Sequence, residues 1–204
     1  VNHGKLIKQI WTIGIRDKRV LCIISKMLKA EIVEEGKPTK GVPQGGILSP
    51  LLANIVLNEF DWWISNQWET KTTEYEYNQP SSKIKALKST KLKPCYIVRY
   101  ADDFKLFTDS RTNAKKLFIA SKLWLKDRLS LEVSDEKSKI TNLRKNGSDF
   151  LGIRLRAVPK GTSQLGYVSQ SKIEPKRKKK IIEVYKNKLK DLKNNASVDK
   201  VKNH

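Results

Sequence analysis

Cysteine is scarce in this chain. Only Cys22 and Cys95 occur, 73 positions apart and with no CxxC or CxxH neighbour. That spacing excludes a disulfide framework and a zinc knuckle, and the expectation is two buried, reduced, small hydrophobes. Long apolar runs are also lacking, with none of about 18 residues or more, and the first 30 positions already mix charged with apolar side chains. The sequence therefore offers neither a membrane span nor a signal peptide, and the expectation is a cytoplasmic (bacterial) or organelle-interior protein with no membrane partner. Acidic side chains are half as frequent as basic ones: 21 Asp and Glu stand against 42 Lys and Arg, a net charge of +21. Such an excess repels itself in a compact state and points to a polyanionic partner; the plainer alternative is a solvated lysine-rich surface.

What is present suffices for a core. The 204 residues are 38% hydrophobic and 31% charged, which suits one globular domain, or one and a part, and excludes the disordered and collagen-like classes. Leu6, Ile10 and Ile13 recur at helical spacing before Gly14, and Asp17 can cap a second run through Leu21, Ile24 and Leu28, which predicts two short helices. Residues 30–46 are rich in Gly and Pro and read as a strand followed by a loop. Ser49 and Pro50 form a helix start, followed by an apolar stripe at Leu51, Leu52, Ile55, Val56, Trp62 and Trp63. From Trp68 to Pro94 the composition turns polar, with six lysines and little apolar period, and reads as a basic insertion or loop.

Cys95–Tyr100 and Phe104–Thr108 are strand-like runs flanking Ala101, Asp102 and Asp103, the pattern of a hairpin with an acidic tip. A helix capped near Asp109 or Ser110 follows, with Ala114, Leu117, Phe118, Ser121 and Leu125 on one face. Leu131 and Val133 read as strand segments, and Asn146 with Gly147 as a tight turn before a strand over 150–155. This alternation is α+β, of a split βαβ kind. Residues 172–204 hold 12 basic and 4 acidic side chains, with Ile181, Tyr185, Leu189 and Leu192 at helical spacing; a basic amphipathic helix packed on some surface is the expectation. No internal repeat is evident.

Adjacent carboxylates between apolar β-formers are unusual, because they repel each other and strand interiors are seldom charged. Two hard oxygen donors at a hairpin tip suit Mg²⁺, which keeps waters for substrate phosphates. A solvent-exposed Asp-Asp turn is the competing account of the dipeptide alone. In a basic chain, a rigid YIVRYADDFKLF hairpin (Tyr96 to Phe107) fits a metal-dependent nucleic-acid enzyme better.

At Tyr100–Asp103 (YADD) the chain resembles the YxDD box of reverse transcriptases. Residues 41–54 (GVPQGGILSPLLAN) resemble the PQG block of the group II intron-encoded and related bacterial enzymes, and residues 131–140 (LEVSDEKSKI) and 150–153 (FLGI) resemble the two blocks that follow. The resemblance implies an α+β palm, an antiparallel sheet with packed helices, incomplete at both ends. It implies two Mg²⁺ ions about 3.5–4 Å apart, with Asp102 ligating both and Asp103 the lesser ligand, clamping the attacking 3′ oxygen and the leaving pyrophosphate. Lys137 would face the triphosphate; an exposed loop lysine is the alternative. Pro43, Gln44 and Gly45 would form the floor under the incoming nucleotide, or else only a turn before a helix. Phe150, Leu151 and Gly152 look like the primer grip, although a buried strand and turn explains the same letters. For RNA binding the candidates are Lys83, Lys85, Lys88, Lys91 and Lys93, with Lys176, Arg177, Lys178, Lys179 and Lys180.

One element of the pattern is missing. The family carries a further metal-ligating aspartate on a strand before the PQG block, and Val1–His3 look like the tail of that block, so the expectation is a carboxylate just upstream of Val1. The expected organisation is 1–66 palm and fingers helices with the PQG block, 67–94 basic insertion, 95–171 palm with the YADD hairpin and primer grip, and 172–204 the start of a basic thumb or maturase helix. Taken alone such a piece is expected to be inactive unless the N-terminal fingers and palm segment docks on it. The resemblance implies RNA-directed DNA synthesis with intron RNA as template and splicing partner, a DNA or RNA primer, deoxynucleoside triphosphates, and a homodimer as one assembly. Two alternatives stand beside it: an RNA-binding splicing factor with a vestigial polymerase site, and a retron-type bacterial reverse transcriptase.

Overall fold

The computed structural model describes residues 2–30, 41, 47–161 and 166–202. The chain divides into two compact units, Val1–Ile140 and Thr141–His204, and each is described by itself.

The first unit opens with α1 (His3–Thr12) and α2 (Lys18–Leu28). Helix α2 starts as expected, the Asp17 carboxylate accepting from the N–H groups of Arg19 and Val20, and α1 is capped by the Asn2 side chain, which accepts from the Lys5 N–H. Their apolar faces bury Leu6 and Ile10, and Ile24 and Leu28, whereas Ile13 lies beyond α1 and is exposed. The expected strand and loop over 30–46 lie almost wholly outside the described residues. Helix α3 (Ser49–Ser65) begins one residue earlier than a Ser49 cap implies: Leu48 holds the cap position without a side-chain bond, and Ser49 and Pro50 are already helical. Leu52, Val56, Leu57, Phe60 and Ile64 are its buried positions, while Leu51 and Trp62 face out.

Residues 67–94 are more ordered than their composition suggests. They contain α4 (Pro80–Lys88), and both Trp68 and Leu87 are buried in the core, with the Trp68 indole N–H donating to the Tyr96 hydroxyl at 2.9 Å. These two anchors, with the partly buried Ile84 packed against the same core, suffice because Pro80 in the first turn presets the helix while the lysines stay near water. Strands β1 (Cys95–Tyr100) and β2 (Asp103–Thr108) form an antiparallel hairpin, followed by α5 (Arg111–Leu129), capped by Ser110. Residues 131–133 form no strand. Ser130 turns left-handed at φ 54°, and the Leu131 N–H bonds back to the Leu125 carbonyl, so that donor closes the end of α5 instead of serving a ladder. Cys95 is buried as expected, but Cys22 is exposed on the outer face of α2; both are free thiols.

An aromatic cluster sits beneath the hairpin. Phe60 meets Phe104 at 5.1 Å and Trp124 at 5.5 Å, and Trp63 stacks on Trp124 at 5.2 Å. Glu59 on α3 accepts from Gln9 of α1 at 2.8 Å and from Arg128 of α5 at 3.4 Å, which joins the three helices at their polar edges.

The second unit is an antiparallel sheet, β3 (Ser148–Phe150), β4 (Ile153–Pro159) and β5 (Tyr167–Ile173), followed by the long helix α6 (Pro175–Lys202). The segment read as one strand over 150–155 is a hairpin, because Leu151 and Gly152 both take positive φ (52° and 76°) and reverse the chain. Across it Arg154 grips Asp149 with two bonds of 2.6 and 2.7 Å. On α6, Ile181, Tyr185, Leu189 and Leu192 recur as expected and are exposed. Among the described residues no helix is long and apolar enough to cross a membrane. The α+β class read from the sequence is the class observed.

Candidate active site

Strands β1 and β2 pair from Cys95 opposite Thr108 to Tyr100 opposite Asp103, which leaves Ala101 and Asp102 as a two-residue loop. Such a loop matches the twist of its strands when its first residue has positive φ, and Ala101 does, at 53°. For a residue with a Cβ this conformation costs about 1–2 kcal/mol. Asp102 is the second loop residue and Asp103 the first of β2, and both carboxylates are exposed. Side chains alternate along a strand, so Asp103 projects opposite to Phe104, whose ring is held in the aromatic cluster.

The same alternation places Cys95 and Arg99 on one face of β1, toward α3. The Cys95 sulfur lies 3.6 Å from the Ile64 carbonyl oxygen. The Arg99 guanidinium donates through Nε to both Asp61 oxygens (2.9 and 3.0 Å) and through Nη2 to Asp61 Oδ2 (2.6 Å). Its Nη1 donates to Asn54 Oδ1 at 2.8 Å and to the Ala101 carbonyl at 2.7 Å. Only 11% of the Arg99 side chain and 30% of Asp61 is exposed, so this fork is a partly desolvated pair. Asn54 and Asp61 share a stripe because seven residues make about two helical turns.

Residues 102 and 103 provide a donor set that suits Mg²⁺: adjacent, accessible, hard oxygen donors presented by a fixed backbone. Mg²⁺ commonly takes one or two carboxylates and fills its remaining positions with water and phosphate oxygens, and among the described residues no group of three or more His, Cys, Asp or Glu side chains converges. Lys137 is exposed on a turn over 135–137 after α5; among the described residues it makes no ion pair with either aspartate. Pro43, Gln44 and Gly45 lie outside the described residues.

Phe150, Leu151 and Gly152 form the β3–β4 turn of the second unit. There the Arg177 side chain, which the sequence suggested for RNA, bends back so that Nη1 donates to the Leu151 carbonyl at 3.2 Å, and the Glu174 N–H donates to the Gly152 carbonyl at 2.9 Å. Lys176 and Lys178–Lys180 are exposed around it, as are Lys85, Lys88, Lys91 and Lys93 in the first unit, with Lys83 half-buried. The basic run occupies the start of α6, where the helix dipole is also positive and no acidic side chain stands in the first turn. That crowding of like charge is unfavourable without an anion.

Sequence reasoning missed Asn54, Asp61 and Arg99. The signals were an arginine inside an apolar strand and two polar residues seven apart on a mostly apolar helix, each ordinary when read singly.

The family described as "Reverse transcriptase (RNA-dependent DNA polymerase)" matches residues 1–155. This chain belongs to the reverse transcriptase family. Among curated relatives, this reverse transcriptase chain is 31% identical over 166 residues to "Protein YkfC" of Escherichia coli, covering 76% of this chain and 43% of that protein. It is 30% identical over 203 residues to "Group II intron-encoded protein LtrA" of Lactococcus lactis, covering 79% of this chain and 34% of that one. It is 29% identical over 194 residues to "Putative COX1/OXI3 intron 2 protein" of Saccharomyces cerevisiae, covering 78% and 22%. The chain thus spans less than half the length of each of these relatives.

Proposed function

We propose that this reverse transcriptase chain is the palm of a group II intron-encoded protein that copies RNA into DNA by two-Mg²⁺ nucleotidyl transfer and also binds its intron RNA to assist splicing. The observation that carries the catalytic half is the rigid hairpin that presents Asp102 and Asp103, adjacent and exposed, in a chain of this family. The intron half is supported by the similarity to proteins named for group II and mitochondrial introns and by the net charge of +21.

In this reading Asp102 and Asp103 hold the metal ions, and the loop backbone fixes the direction in which their oxygens face. Bound there, Mg²⁺ would supply the positive charge that stabilises the attacking 3′ oxygen and the leaving pyrophosphate. Lys137 would meet the triphosphate and return a proton to the pyrophosphate. Gln44, between Pro43 and Gly45, would bind the sugar of the incoming nucleotide through its amide. Phe150, Leu151 and Gly152 would support the primer end. The lysines of residues 83–93 and 176–180 would neutralise phosphates of the RNA without reading its sequence.

The deciding experiment is primer extension on an RNA template by the protein carrying this chain, with Asp102→Asn as the variant. Extension should vanish while RNA affinity stays within a few fold, because a metal ligand is removed and no phosphate contact is. Extension near the wild-type rate would remove Asp102 from the mechanism.

A further inference from the structure

The Ala101 carbonyl is the oxygen of the peptide plane that leads into Asp102, and Arg99 Nη1 donates to it at 2.7 Å and to Asn54 Oδ1 at 2.8 Å, while Nε and Nη2 are committed to Asp61 on α3. We propose that Arg99, locked by Asp61 and Asn54, is a positioning residue that sets the orientation of Asp102 and so the metal affinity of the hairpin tip. The proposal rests on the reading of Asp102 as a metal ligand.

Three observations converge on it. First, the tip needs outside help, because Ala101 is left-handed at φ 53° without being glycine; a loop of two residues has few internal contacts to hold that shape. Second, the guanidinium is planar and its donors form a rigid fork, so once Asp61 takes its Nε–Nη2 edge the direction of Nη1 is determined. The oxygen that Nη1 meets is then held at a set place relative to α3, whose buried Phe60 and Ile64 belong to the core. Third, the charge is suited to the task. The Asp61 carboxylate at 2.6 Å offsets the guanidinium, so the positive group three residues before Asp102 orients the loop without presenting an uncompensated charge that would repel a cation.

A lysine in place of Arg99 keeps the positive charge and loses the fork. It could satisfy Asp61 or the Ala101 carbonyl, not both with fixed geometry. The chemistry therefore separates charge from orientation in a single substitution.

The test uses Mn²⁺ as the probe, with free ion followed by its EPR signal, in the protein carrying this chain. Arg99→Lys should weaken Mn²⁺ binding by about three- to tenfold, the range of one orienting hydrogen bond, and should raise the Mg²⁺ concentration for half-maximal extension by the same factor. The KM for deoxynucleotides at saturating metal should stay within about twofold, since no substrate contact is removed. Asp61→Asn should do the same, and the double variant should be little worse than either single one, because both act through one fork. Should Arg99→Lys fail to fold, Asn54→Ala removes only an exposed acceptor and should still weaken Mn²⁺ by about two- to threefold. Lowered thermal stability with unchanged Mn²⁺ affinity in these variants would overturn the proposal and leave the fork as structural bracing. Asp102→Asn separates the two levels: if it abolishes Mn²⁺ binding while the Arg99 and Asn54 variants do not weaken it, only the positioning role fails. If Asp102→Asn itself leaves Mn²⁺ binding intact, the metal-ligand reading and the positioning role fall together.

Discussion

Phe104, the residue after Asp103, lies edge-on to the fully buried ring of Phe60 at a centroid distance of 5.1 Å. One strand residue thus anchors the hairpin in the core while its neighbour is exposed at the tip. The two roles are adjacent because a strand turns successive side chains to opposite faces. Rigidity at the carboxylates is therefore inherited from the aromatic cluster of α3, β2 and α5.

Truncating that anchor should be costly. Phe60→Ala removes ring contacts with Trp63, Phe104 and Trp124 together, and about 3–5 kcal/mol of unfolding free energy should be lost. Denaturant melts followed by tryptophan fluorescence measure this. A loss below about 1 kcal/mol would mean that the cluster collapses to fill the space.

RNA binding should be dominated by phosphate neutralisation. The logarithm of affinity should fall against the logarithm of salt by roughly 0.7–0.9 per phosphate contacted. Lys176→Glu with Lys179→Glu should flatten that slope. Filter binding across a salt series distinguishes this from a solvated lysine surface, for which the slope would not change.

Gly152→Ala should destabilise the second unit by about 1–2 kcal/mol. Its φ is 76°, and an added Cβ would come within 2.3 Å of Arg177 Nη1. The obstructing atoms belong to a flexible side chain, so Arg177 should swing aside and give up its bond to Leu151. In an Arg177→Ala background the same substitution should cost only the backbone part. Thermal melts of the four proteins in that cycle give the coupling.

The two thiols should separate cleanly. Burial, and secondarily the charge of Glu69, push the Cys95 thiol above its ordinary value of 9.0, whereas Cys22 is exposed. Iodoacetamide at pH 8 should therefore label Cys22 in the native protein and reach Cys95 only after unfolding, as mass spectrometry would show. The sign for stability follows from the raised value: the neutral buried thiol favours the folded state below the ordinary value, and that contribution is lost as pH rises through the folded one. Equal labelling at pH 8 would mean that β1 opens readily from α3.

Local chemistry made much of this protein legible without coordinates. Asp17 capping, the glycine after α1, the strand composition around Asp102 and the Ser110 cap each act within a few residues, so their outcome is written in neighbouring letters. The acidic tip was visible for the same reason. Where reading failed, the deciding partner was remote or hidden by composition. Residues 67–94 resembled a loop because only Trp68, Ile84 and Leu87 are spent on the core, too few to make a period. Residues 131–133 had strand letters, but a ladder needs a partner and the Leu131 donor was already taken by Leu125. Cys22 was expected inside, yet which face of α2 is buried depends on what packs there. The fork of Arg99 on Asp61 and Asn54 joins positions 38 and 45 residues apart, and a bond of that span exists only once the hydrophobic stripe of α3 has brought the helix against β1. The sequence alone determined which groups the protein can present; the packing of α3 against the hairpin decided how they are held, because orientation is a property of contacts between segments that no single segment contains.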